Sequence, residues 1–152
     1  MTRKEFSIKL RRLIMKHDQL FNIYKEQNFS SKEEILTFLS KESCKYTGIS
    51  NIEFKNEILK REEQGSIEIA PGVLLPHFES SSFIKSKIFI LPIKPEIKEW
   101  NEEIQNVHLV IAILLKTDED SSIKQKITQF TRKLADDDYL DRLMNAETKN
   151  NN

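Results

Sequence analysis

The chain has 152 residues, 38% of them hydrophobic, enough for one domain with a single core. Lys plus Arg and Asp plus Glu both number 24, so the formal net charge is zero and no basic excess argues for nucleic acid. The single cysteine, Cys44, excludes an intramolecular disulfide and fits a reducing cytosol, and no apolar run approaches the roughly 20 residues that span a bilayer.

Residues 1–17 are charged, with Phe6, Leu10, Leu13 and Ile14 at helical spacing, and read either as a short amphipathic helix or as a linker. The basic start, MTRKEFSIKLRR, has no apolar region behind it and is not a secretory signal. The expectation is a soluble cytoplasmic domain at 20–146, with an N-terminal extension at 1–19 and a disordered tail at 147–152. Leu20 to Ile23 gives a weak strand signal. A helix is expected over 31–43: Ser30 and Ser31 can each cap it, Glu33 and Glu34 follow, and Ile35, Leu36, Phe38 and Leu39 form its apolar stripe. Cys44, after this stripe and without a paired His or Cys, reads as structural. After a loop at 47–50, Asn51 is expected to cap a second helix. Ile52, Phe54, Ile58 and Leu59 should face inward there, with Gly65 just past its end.

From Arg61 to His77 the chain reads REEQGSIEIAPGVLLPH. A short β-like segment around Ile67 and Ile69 precedes a turn at Pro71-Gly72. An apolar run, Val73 to Leu75, then ends at Pro76-His77, with a polar loop at Glu79 to Ser82. Lys87 to Ile93 is a strand in which Pro92 marks an edge, a bulge or the end. Ile97 to Trp100 reads as another short strand. Val107 to Leu115 is almost wholly apolar, as in a central strand covered on both faces. Ile123, Ile127, Phe130 and Leu134 share one face of a helix at 121–134. Asp136 or Asp137 then caps a last helix containing Tyr139, Leu140, Leu143 and Met144. The expected architecture is α/β: a single domain with a mixed β-sheet and helices on both faces.

His77 is the leading site candidate. Its backbone is set by the preceding proline, and imidazole can hold a phosphoryl group or a proton near neutral pH. Arg61 reads either as a solvated charge at a helix end or as a guanidinium fork for phosphate oxygens. Glu62 and Glu63 read as ordinary surface charges, His108 as a satisfied core or strand-end group, and Trp100 as core or as cover at a strand end. His17 carries no signal. Three scattered histidines give no metal site, three unclustered glycines give no phosphate loop, and no Ser or Cys nucleophile motif is present.

The stretch REEQGSIEIAPGVLLPH resembles the phosphoacceptor region of the mannitol/fructose-type enzyme IIA domains of the bacterial sugar phosphotransferase system. Those domains read Arg-Glu at a helix end, a small polar turn, a glycine, and an apolar strand ending in Pro-His. SKEE at 31–34 with its apolar helix, the strands at 87–93 and 107–115, Trp100, and KLADDDYLDRLMNA at 133–146 extend the resemblance over roughly 20–146. It implies that His77 accepts a phosphoryl group from the phosphocarrier HPr and passes it to an enzyme IIB. It further implies that Arg61 supports the phosphohistidine, and that no cofactor or metal takes part. Leu74, Leu75 and Phe78 would be candidates for an apolar partner surface.

The chain also departs from that pattern. Active members carry a second histidine at the start of the helix placed at 121–134, where this chain reads DEDSSIKQK, with Ile123 or a neighbouring serine at that place. Phe78 stands where many members have a small residue, and Ser66-Ile67 replaces the usual Ser-Thr. Such changes suit a diverged or a regulatory member, the latter as in the similar domains at the C-terminal end of transcriptional regulators, and residues 1–17 would fit a linker in such a parent.

Overall fold

The structure, a computed structural model, describes residues 20–150, with side chains described over 20–145. The expectations for residues 1–17, His17 included, lie outside the described residues. The elements in chain order are β1 (Phe21–Ile23), α1 (Lys32–Thr47), α2 (Asn51–Glu63), β2 (Glu68–Ala70), β3 (Val73–Leu74), β4 (His77–Ser80), β5 (Lys87–Glu99), β6 (Gln105–Lys116), α3 (Ser121–Lys133) and α4 (Asp137–Asn150).

Both N-terminal helices are set by serine caps. The Ser31 hydroxyl accepts from Glu34 N at 3.2 Å, while Glu34 reaches back to Ser30, a reciprocal closure of the first turn. α1 runs one turn further than expected and stops where Gly48 takes φ +81°, its N–H bonded to Cys44 O. Ser50, not Asn51, caps α2. The Asn51 carboxamide instead accepts from Ser40 Oγ at 2.8 Å, joining the two helices. Only Phe54 and Ile58 of the expected inward stripe are buried; Ile52 is 75% and Leu59 41% exposed. Cys44 is exposed as well, so it is not a packing residue. α4 extends through 147–150, assigned above to a disordered tail, because no Gly or Pro intervenes to stop the helix.

The six-stranded sheet has the order β1-β5-β6-β3-β2, with β4 also on β6. β5 and β6 pair antiparallel, β3 and β4 run parallel to β6, and β1 runs parallel to β5. The sheet is mixed, and β6 is its centre. Successive side chains of β5 and β6 alternate between two cores, as the pleat requires. Phe89, Leu91, Val110, Ala112 and Leu114 meet Ile35, Leu39, Phe54 and Ile58 of α1 and α2. Ile88, Ile90, Leu109, Ile111 and Ile113 meet Phe130, Leu134, Leu140 and Leu143 of α3 and α4. Helices thus cover both faces. The two strands expected at 87–93 and 97–100 are one, since a register shift between Pro92 and Ile97 absorbs the prolines without ending the pairing with β6. Among the described residues no helix is long and apolar enough to cross a membrane.

Gly72 links β2 to β3 in a backbone conformation only glycine adopts freely. Its φ is +74°, its N–H donates to Glu68 Oε2 at 3.0 Å, and its carbonyl accepts from His108 N and Leu109 N. A Cβ there would stand 2.3 Å from Asn106 O and 2.5 Å from His108 Nδ1. Gly72→Ala is therefore expected to cost more than about 2 kcal/mol of unfolding free energy, read from urea midpoints; a loss below about half that would refute the close packing.

Lys87 opens β5 with only 3% exposure. Its ammonium lies 4.8 Å from the centroid of the Tyr46 ring and donates to Asn22 Oδ1 at 2.7 Å. Burial, helped by the charge of Lys85, pulls its pKa down from 10.5 to about 8. The folded state therefore gives up this proton before the unfolded chain does. The Lys87 contribution to stability is lowest below about pH 8 and rises until about pH 10.5. Urea midpoints at pH 7.5 and 10 for the wild type and Lys87→Met are expected to show this rise in the wild type alone.

Candidate functional site

The candidate site is assembled from one continuous stretch, the end of α2 through the start of β4. β3 and β4 share one register along β6: Val73 stands opposite Leu109, Leu74 opposite Val110 and His77 opposite Ile113. They behave as a single parallel strand interrupted at Leu75-Pro76. The expectation that His77 ends a strand before a polar loop is therefore corrected. His77 opens β4, and the turn comes only after Ser80. The interruption arises because Pro76 has no N–H to give β6, while its carbonyl still accepts from Ile113 N at 3.0 Å.

Two bonds fix the imidazole. Leu75 N donates to Ile67 O at 2.7 Å, anchoring the chain that returns from α2. Leu75 O then lies 2.8 Å from His77 Nδ1. A carbonyl only accepts, so Nδ1 carries the proton and Nε2 keeps its lone pair, free of any hydrogen bond among the described residues. Alternation places His77 on the face of Val73 and Leu75, whereas Phe78 turns to the opposite core. There Phe78 packs between Phe54 and Phe83, with ring centroids 5.9 and 5.1 Å away. His77 itself is half-buried.

Leu74, Leu75 and Phe78 do not form the apolar partner surface expected around His77. Leu74 and Leu75 are buried and Phe78 fills the α1–α2 core, because the alternation that turns His77 outward turns Phe78 in. Ile123 at the start of α3, where a second imidazole would stand, is half-buried against the α3–α4 core. Ser121 and Ser122 beside it are exposed.

Arg61 lies in the last turn of α2 and is half-buried. A Cβ at Gly65 would come within 4.0 Å of its Nη1, so the guanidinium folds back over the turn that leads to Ile67. No hydrogen bond or ion pair occupies it among the described residues. The pair Ile67–Leu75 thus joins the turn below Arg61 to the carbonyl that holds His77. Glu62, read from sequence as an ordinary surface charge, is instead a half-buried hub. Its Oε2 pairs with Lys32 Nζ at 2.8 Å, and its Oε1 accepts from Trp100 Nε1 and Asn101 Nδ2, each at 3.0 Å. One sequence signal pointed that way: a buried indole N–H needs an acceptor.

His108 is not a core group. It is half-exposed on β6 beside Gly72, its Nδ1 3.4 Å from Asn106 O, above a shallow groove with Glu68, Glu96 and Glu103. Among the described residues no group of three or more His, Cys, Asp or Glu is arranged to hold a metal ion.

The family model described as "Phosphoenolpyruvate-dependent sugar phosphotransferase system, EIIA 2" matches residues 17–151. The multiphosphoryl transfer protein of Shigella flexneri is 29% identical over 133 residues, covering 84% of this chain but 15% of that protein. The chain therefore spans about 15% of the length of such curated relatives. Two solved structures share the fold. The nitrogen regulatory protein IIA-Ntr of Neisseria meningitidis has a TM-score of 0.68 at 14% identity, covering 83% of this chain and 88% of that one. Enzyme IIA of the mannitol system, in its complex with phosphorylated IIB from Escherichia coli, has a TM-score of 0.59 at 22% identity, covering 82% and 90%.

The geometry gives one expectation for the resting protein. Nitrogen NMR of ring-labelled protein above the imidazole pKa should find His77 as the Nδ1–H tautomer, with the shift of an unprotonated ring nitrogen at Nε2. The opposite tautomer would contradict the bond to Leu75 O.

Proposed function

The chain belongs to the EIIA type 2 family of the phosphoenolpyruvate-dependent sugar phosphotransferase system, and on that premise we propose that His77 is its phosphoacceptor and Arg61 the cation that steadies the phosphoryl group. The donor in this reading is HPr, as the resemblance implies, and the recipient is an enzyme IIB, a reading that the solved complex of mannitol IIA with phosphorylated IIB supports. The domain type proposed is the mannitol/fructose type of enzyme IIA, on the strength of the stretch 61–77, and the location proposed is the cytoplasm.

The observation that carries the reading is the bond from His77 Nδ1 to Leu75 O, which leaves the Nε2 lone pair for attack. Nε2 forms the new N–P bond as the N–P bond of the donor phosphohistidine breaks, and the donor ring leaves with its electron pair. Nδ1 keeps its proton throughout. The ring, now substituted at both nitrogens, becomes cationic, and the Leu75 carbonyl dipole stabilises that charge as it develops. A cationic ring is also a good leaving group, which suits onward transfer to IIB. The charge on the transferred oxygens is spread over three atoms, and a guanidinium fork matches that geometry better than an ammonium does.

A second reading is a regulatory domain of a PTS-controlled transcriptional regulator, signalling by phosphorylation state with little onward transfer. The start of α3 favours it, since Ser121, Ser122 and Ile123 put no imidazole where the family resemblance expects a second one. Under this reading loading from HPr persists while transfer to any IIB is slow.

Incubation with phosphoenolpyruvate, enzyme I and HPr should give an acid-labile phosphate mapping to His77. Phosphorus NMR should identify the Nε2 isomer. His77→Ala should abolish labelling with the fold intact, and Arg61→Ala should slow loading by about 100-fold. Labelling that survives His77→Ala would sink the assignment, and an Nδ1 phosphate would refute the role given to Leu75 O.

A further inference from the structure

We propose that Glu62 is the positioning residue for the Arg61 guanidinium, an inference that rests on Arg61 acting at His77 as argued above. Glu62 directly follows Arg61 in the last turn of α2, yet its side chain is only 12% exposed. Its three donors come from separate places: Lys32 in the first turn of α1, Trp100 at the end of β5, and Asn101 in the turn beyond it. The donors are themselves held. The Lys32 ammonium lies 5.4 Å from the Trp100 ring centroid, and Asn101 Oδ1 accepts from the backbone N–H groups of Glu103 and Ile104 at 2.8 Å each. A carboxylate covered to this extent is tolerated because both oxygens are filled, and the same bonds fix where its helix turn stands.

Arg61 has no such bonds among the described residues. α2 ends at Glu63, and the last turn of a helix, with carbonyls lacking helical partners, is where fraying begins. The position of the guanidinium is therefore inherited from the backbone of its own turn, and the Glu62 clamp holds that turn against α1 and the β5–β6 hairpin. A purely structural Glu62 would affect stability alone. A positioning Glu62 affects the chemical step, and only while Arg61 is present to be positioned.

A double-mutant cycle in the full chain separates these, with kcat and KM measured for loading from phospho-HPr. Glu62→Ala is expected to lower kcat about tenfold and to leave KM within about twofold. Added to Arg61→Ala, it should cause no further loss. Glu62→Gln, which keeps an acceptor for Trp100 and Asn101, should recover most of the rate. Equal losses from Glu62→Ala in both backgrounds, or a loss in KM alone, would overturn the proposal while leaving Arg61 in its role. Should Arg61→Ala itself load at the wild-type rate, the role of Arg61 fails first and that of Glu62 with it. If Glu62→Ala does not fold, Lys32→Met and Trp100→Phe each remove one donor from the carboxylate and carry the same cycle.

Discussion

Everything in the site hangs on the hydrogen bonding of β6. This strand is paired along one edge by β5 and along the other by β3 and β4, with a core on each face, so it has little freedom to shift. The Pro76 carbonyl is bonded to Ile113 of β6, and the Leu75 carbonyl next to it holds the imidazole. The His77 ring is thus two hydrogen bonds from a strand paired along both edges. A nucleophile placed that way needs no ordering when a partner arrives, which is the condition under which positioning contributes most to a transfer rate.

The charged side of the site uses a different physics. Arg61 carries the charge that would face the phosphoryl oxygens, and Glu62 is turned away and committed to Lys32, Trp100 and Asn101. Left unpaired next to Arg61, that carboxylate would compete with phosphate for the same guanidinium. Drawing it into a separate network removes the competitor while its negative charge still lies one residue away. Two adjacent charges in the sequence are therefore placed differently: the half-buried Arg61 has no hydrogen-bond partner among the described residues, while Glu62 has three.

The fold was legible because its signals were periodic. The apolar run of β6, the serine-capped α1 and the helix at 121–134 each rest on spacing and local chemistry that the tertiary structure did not override. The misreadings came from features without period, and from one stripe taken as wider than it is. Pro92 was compatible with a strand end, and only its partner strand could say that a bulge carries β5 onward to Glu99. Ile52 and Leu59 fit a helical stripe whose true width was set by how α2 lies on the sheet. Cys44 had no signal either way. The candidates His77 and Arg61 came from the residues and from their resemblance to a family. Glu62 was not readable there, because a half-buried carboxylate looks like any other glutamate until its three donors, far apart in sequence, are brought together. The apolar surface expected around His77 failed because Leu74 and Phe78 face the other way on the strand, and Leu75, on the face of His77, is buried in the α3–α4 core.

That alternation also limits how the chain can change in length. β3 and β4 keep a single register across Leu75-Pro76, and the count from Val73 decides which face each later residue takes. Adding or removing one residue between Leu74 and His77 would exchange the places of His77 and Phe78, turning the imidazole into the α1–α2 core and the phenyl ring outward. Changes of two residues would keep the face but move the imidazole away from Ile113 and the Leu75 carbonyl. The segment is therefore closed to insertions and deletions of either parity, although it is an interruption between strands, where such changes are ordinarily absorbed.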